Sequence, residues 1–127
     1  MKFGCSLLDF EYRELEQLLI AQVDGGMALQ LLHSPIPTLL NTYKRDYFVS
    51  ADSKVRVTVD QEMRFFDQRF SDRVSMDREG ISPDLIVVEY KSAVKDAADL
   101  ERAIRSVRLA RTRNSKYVIG VSSVLGL

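Results

Sequence analysis

Apolar and polar positions change their period several times along this chain, and each change marks an element. In FEYRELEQLLIAQV (10–23), Leu15, Leu18, Leu19 and Gln22 fall at helical spacing, and Gly25-Gly26 is expected to end that helix. MALQLLHSP (27–35) reads as a further short helical turn ahead of Pro35 and Pro37. The period then shortens to two. NTYKRDYFVS and KVRVTVD read as strands joined by Ser50-Ala51-Asp52-Ser53, a hairpin. MRFFDQRF (63–70) either extends the second strand or forms a third, and residues 71–84, rich in charge with Gly80, Ser82 and Pro83, read as loop. LIVVEYK (85–91) is a strand. DAADLERAIRSVRLARTR (96–113) is an amphipathic helix with Leu100, Ala103, Ile104 and Val107 on one face, and KYVIGV (116–121) is a last strand. The order predicts an α+β fold: an antiparallel sheet, an N-terminal helix, and a helix before the last strand.

Alternation also sorts the charges. Residues two apart on a strand share a face. Lys54, Arg56, Thr58 and Asp60 therefore stand together, with Val55, Val57 and Val59 opposite. Glu89 and Lys91 share a face with Leu85 and Val87, while Tyr43, Arg45 and Tyr47 line one side of the first strand. The polar faces collect Arg45, Arg56, Glu89, Lys91 and Lys116, four cations and one acid.

At 127 residues, 46% hydrophobic and 28% charged, the chain is one globular domain or part of one. No apolar run nears the roughly 18 residues that span a bilayer, and no secretory leader is read at its start. Cys5 stands alone, which excludes a disulfide framework and a thiolate metal cluster and makes a reducing cytoplasm the default. Formal net charge is zero, but residues 1–43 hold two basic side chains against five acidic, and residues 44–127 hold sixteen against thirteen. That tilt points to an anionic partner. Arg102, Arg105, Arg108 and Arg111, three apart on the helix, read as a solvated face, so no nucleic-acid partner is expected. His33 and Cys5 read as structural, and Tyr43, Tyr47 and Tyr117 as packing residues; Arg64, Arg69 and Arg73 have no fixed direction.

Two phosphate chemistries compete for PDLIVVEYK (83–91). A metal-dependent nuclease would need Asp84 and Glu89 to converge on one divalent ion beside Lys91. Five steps along a strand separate those carboxylates by roughly 16 Å and turn them to opposite faces, leaving Asp60 as the substitute acid. The other chemistry is the gripping of phosphate chains by inward cations, where bidentate guanidinium contacts suit phosphate oxygens.

A Tyr-x-Arg strand, an Arg-x-Thr-x-Asp strand, a Glu-x-Lys strand, a helix, and Ser-Lys-Tyr opening the last strand follow one another over residues 42–121. This ordered set resembles the VTC domain of polyphosphate polymerases, within the triphosphate tunnel metalloenzyme superfamily. The resemblance implies an antiparallel tunnel barrel that binds a nucleoside triphosphate or polyphosphate with Mn²⁺ or Mg²⁺. It implies Glu89 as metal ligand, and Arg45, Arg56, Lys91 and Lys116 as phosphate contacts, with Lys91 and Lys116 serving transfer of a phosphoryl group to a growing chain. It divides the chain into a helical segment, 1–41, and the C-terminal half of a tunnel domain, 42–127. The barrel would then be completed by another copy or by a separate N-terminal half, in the cytoplasm or at a membrane's inner face through partners. A non-catalytic polyanion-binding partial domain is the alternative, and the nuclease using Glu89-Tyr90-Lys91 a third.

Overall fold

The computed structural model of the chain describes residues 6–34, 36–107, 112–113 and 115–127, so Cys5, Pro35, Arg108 and Arg111 lie outside the described residues. Within them the fold is α+β. Strands β1 (Leu39–Val49), β2 (Val55–Asp67) and β3 (Val87–Ser92) form one sheet in the order β1-β2-β3. The helices are α1 (Tyr12–Ile20), α2 (Gly25–His33), α3 (Ala97–Ser106) and α4 (Lys116–Leu125). Among the described residues β1 and β3 are sheet edges and no barrel closes. No helix there is long and apolar enough to cross a membrane. The chain forms two compact units: residues 1–41, 64–82 and 117–127 make the first, and residues 42–63 and 83–116 the second.

In the first unit, α1 opens on a capping box, in which the Glu11 N–H donates to Glu14 Oε2 at 3.1 Å. The glycine pair that the sequence offers as a stop instead starts α2. Asp24 caps it, accepting the Met27 N–H at 3.0 Å, and Gly25 and Gly26 occupy the first turn. The core gathers on the far end of β2, where Phe65 and Phe66 are both fully buried. Each such ring contributes about 1.5–3 kcal/mol of burial. Gln68, also buried, satisfies both polar atoms of its side chain: Oε1 accepts from the Tyr12 hydroxyl (2.6 Å) and the Ser75 N–H (3.1 Å), and Nε2 donates to the Phe66 (3.1 Å) and Ser75 (2.7 Å) carbonyls. Burial, and then the nearby Asp72 charge, raise the Tyr12 hydroxyl above the ordinary tyrosine range.

The expected last strand is a helix. Lys116–Leu125 is α4, with Gly120 and Ser123 buried three positions apart, a spacing that keeps both on one helical face. As a strand the segment would turn those two residues to opposite sides. Gly120 is where the helix backbone meets the core. A Cβ there would collide with Leu39 and would lie 2.6 Å from Phe65 Cδ1. Gly80 makes a second close approach, as its Cβ would lie 2.6 Å from the Ser123 carbonyl carbon. Ser123 spends its own hydroxyl on the Ile119 carbonyl (2.9 Å).

The second unit holds the predicted hairpin. Its turn is tied by short polar side chains: Ser50 Oγ donates to Asp52 (2.6 Å) and accepts the Val55 N–H (3.0 Å), and Asp52 accepts the Lys54 N–H (3.2 Å). Ser53 takes the left-handed conformation at φ 59°. MRFFDQRF extends β2 as far as Asp67, but the alternation slips on the way. Glu62 has φ 55°, and the buried positions jump from Asp60 to Met63. An extra residue of this kind changes which side chains face inward beyond it. Antiparallel β3 pairs with β2, and α3 lies against β3 with Asp99, Leu100, Ala103 and Ile104 half-buried, at the helical spacing the sequence shows; the helix ends at Ser106, so Val107, expected on its apolar face, is instead its extended and exposed C-cap.

Candidate functional site

Cross-strand register builds the site. β2 and β3 pair with Arg56 opposite Lys91, Thr58 opposite Glu89, and Asp60 opposite Val87. Directly opposed residues project on the same side of a sheet. The two Arg/Lys cations are thus immediate neighbours, and the row behind them holds a hydroxyl and a carboxylate. Lys91 Nζ lies 3.1 Å from Glu89 Oε1, the same-face relation that alternation predicts. Arg56 has no ion-pair partner among the described residues, and the Thr58 hydroxyl is buried there without a hydrogen-bond partner.

Asp60 is the hub of a second cluster on the same strand. Its side chain is 1% exposed, and both its oxygens are taken by cations from other elements. Arg45 of β1 grips it bidentately, Nε to Oδ1 at 2.5 Å and Nη2 to Oδ2 at 2.7 Å, and Lys116, the first residue of α4, reaches Oδ2 at 2.6 Å. The hydrogen bonds from Arg45, reinforced by Lys116, hold the Asp60 carboxyl down at about 2. The same contact raises the Arg45 guanidinium above its ordinary value. The guanidinium carbon of Arg45 also stacks over Tyr43 (4.9 Å to the ring centre) and Tyr47 (5.8 Å), with Lys116 Nζ 5.3 Å from Tyr43.

Arg45, Arg56, Lys91 and Lys116 all belong to this unit, and Glu89 with them. Counting Asp60, the cluster has four cations and two carboxylates, a surplus of two positive charges. One positive charge is left at each end: at one, Lys91 is paired with Glu89 and Arg56 stands beside them, and about 13 Å away, four residues along β2, Arg45 and Lys116 share the single Asp60 carboxylate. That central carboxylate is what sequence reasoning undervalued. Its alternation with Arg56 and Thr58 is visible, but its contact with Lys116 depends on where α4 begins.

For a divalent ion, the chain's own donor set is narrow. Among the described residues no three His, Cys, Asp or Glu side chains come together as a metal site. Glu89 is 43% exposed with one oxygen on Lys91, and Asp60 is filled by its cations. A single accessible carboxylate fits a Mg²⁺-like ion that keeps most of its waters and arrives already bound to phosphate oxygens, since such ions use one or two carboxylates plus substrate. The nuclease arrangement is not assembled. Asp84 sits exposed in the loop before β3, and Asp60 has no oxygen to spare.

The three arginines whose direction the sequence leaves open are in the first unit, and each meets a carboxylate: Arg64 with Glu79 (2.7 Å, bidentate), Arg69 with Asp67 (2.7 Å), and Arg73 with Glu11 (3.8 Å). The tyrosines divide. Tyr43 and Tyr47 stack on Arg45, whereas Tyr117 is exposed and does not pack into a core. His33 closes α2, its Nδ1 2.7 Å from the Leu29 carbonyl.

Comparison with known proteins agrees with the ordered motifs. The family model described as VTC domain matches residues 29–125, most of the chain, so the chain belongs to that family and has, at the family level, a VTC-type, polyphosphate-related function. Searches of the curated proteins and of the solved structures return no match.

Proposed function

From membership of the VTC family we propose that this chain binds linear phosphate chains, polyphosphate or the triphosphate of a nucleotide, on the β1-β2-β3 face that carries Arg56 and Lys91. The observation that carries the reading is the register pair: two cations held side by side, one of them unpaired, with the Arg45–Asp60–Lys116 cluster about 13 Å along the same strand. That span exceeds one phosphate group and suits a chain of them. Arg56 and Lys91 supply the open charge. Arg45 and Lys116 mark the other end, where a phosphate oxygen can replace Asp60 as their partner or add to it.

Glu89 would hold a divalent ion brought by the phosphates, and that ion would neutralise oxygen charge as Lys91 turns from Glu89 to the ligand. The same arrangement serves transfer of a terminal phosphoryl group, a reaction that depends on alignment and charge neutralisation more than on a protein nucleophile. In this reading Lys91 and Lys116 would steady the charge that moves.

Binding and turnover separate experimentally. Calorimetry with polyphosphate should show Arg56→Glu losing at least about tenfold in affinity, the scale of one charge-assisted contact removed and reversed. Unchanged affinity sinks the assignment of this face. With ATP and Mn²⁺, formation of polyphosphate identifies transfer, and binding without product identifies a polyanion-binding domain.

A further inference from the structure

We infer that β1 is a homodimer seam, on which a second copy of this chain adds its own β1 antiparallel, centred on Arg45. Strand β1 is eleven residues long, contains no proline, and pairs with β2 on one side alone among the described residues. Long edges of this kind recruit another strand unless something blocks them. The hydrogen bond from the Ser50 N–H to the Val55 carbonyl (2.9 Å) fixes which way the backbone faces. Counting back by twos, residues 48, 46 and 44 turn their amides to β2, so Tyr43, Arg45 and Tyr47 present theirs at the open edge.

A second β1 centred on Arg45 meets all three of those outward amides. It also meets complementary side chains. Lys44 falls opposite Asp46 of the other copy and Asp46 opposite Lys44, in the close, non-hydrogen-bonded positions. Lys44 is well exposed and its nearest carboxylate, Glu62, is 3.8 Å away, so it is available for this exchange. On the other face Tyr43 falls opposite the second copy's Tyr47, an aromatic pair repeated on each side of the centre, while on the Lys44 face exposed Phe48 falls opposite Thr42. The unfavourable contact is Arg45 against Arg45, and each guanidinium enters it already paired bidentately with Asp60. The motif KRD is thus complementary to itself, which a strand selected only to stay alone would not be. The product is one six-stranded sheet, β3-β2-β1-β1-β2-β3, with both Arg56–Lys91 pairs on the same side.

Sedimentation of the whole 14.5 kDa chain over a concentration series tests this, and the wild type should reach twice that mass. Lys44→Asp and Asp46→Lys each set like charges across the seam, and each should weaken the dimer by about tenfold. The double variant Lys44→Asp/Asp46→Lys should recover wild-type association. A wild type that stays monomeric, single reversals without effect, or a double variant no tighter than the singles would overturn the seam. If a reversal does not fold, an equimolar mixture of Lys44→Cys and Asp46→Cys chains, both carrying Cys5→Ser, reads the same register. A mixed disulfide formed faster than either chain forms one alone supports it, and equal rates overturn it.

Discussion

Strand β2 serves two different economies of polar burial. Its far end, in the first unit, buries Phe65 and Phe66 and answers both polar atoms of the Gln68 side chain with neutral partners. Its near end, in the second unit, buries a carboxylate and answers it with two cations. Each half also contains one aspartate pulled down to about 2, but the means differ. Asp67 is held by Arg69, two residues along the same stretch, first through the Arg69 side chain and then its backbone N–H. Asp60 is held by residues from β1 and from the start of α4. A local pair can form before anything else does, whereas a pair gathered from three places exists only once the surrounding fold does.

The largest effect is expected where burial is apolar. Phe65→Ala should cost about 3–5 kcal/mol, the usual toll of emptying a large aromatic site, read as a shift of the denaturant midpoint. A loss below 1 kcal/mol would mean that the aromatic end of β2 does not carry the stability assigned to it.

Asp60→Asn comes next, and it separates charge from shape. Removing a buried carboxylate leaves Arg45 and Lys116 facing each other, for a loss of about 2 kcal/mol at neutral pH, less than for a fully buried pair because both cations are partly exposed. Because the folded carboxyl lies below its ordinary value, its stabilisation is complete above about pH 4 and is lost as the pH falls towards 2. The variant should therefore lose part of the wild type's acid sensitivity in that window, while Asp67 keeps the rest. Identical pH–stability curves would show that Asp60 is not ionised and clamped as described.

The smallest effect lies at the joint between the two halves. Glu62 adopts φ 55°, a conformation that costs a side-chain-bearing residue about 1 kcal/mol, so Glu62→Gly should stabilise the fold by about 0.5–1 kcal/mol. Destabilisation by thermal melting would mean that the slip in alternation between Asp60 and Met63 has another origin.

Local signals carried most of the fold. The hairpin was legible because alternation and four turn-forming residues lie within one short stretch, and β3 and the start of α3 were legible from period, though not the end of α3 at Ser106. KYVIGV was misread because its apolar residues satisfy a strand pattern equally well. What favours the helix is that Gly120 has no Cβ to keep it from Leu39 and Phe65, and that Ser123 lies close against Gly80, all residues remote in sequence. The site divides in the same way. Arg56, Glu89 and Lys91 follow from alternation, and the order of motifs marks Arg45 and Lys116. That both of these close on Asp60 needed the three-dimensional arrangement, because no spacing along the chain announces where a helix will begin.

The clamp around Arg45 also settles when conformational freedom is given up. A surface arginine loses rotamer entropy worth up to about 2 kcal/mol when a ligand fixes it. Here Asp60 and two tyrosine rings immobilise the guanidinium as the chain folds. On the proposed reading, a phosphate arriving at that end would meet a side chain already still, so less of its binding energy would go into ordering the protein, and what it would have to overcome instead is the hold of a carboxylate that reached the same cation first.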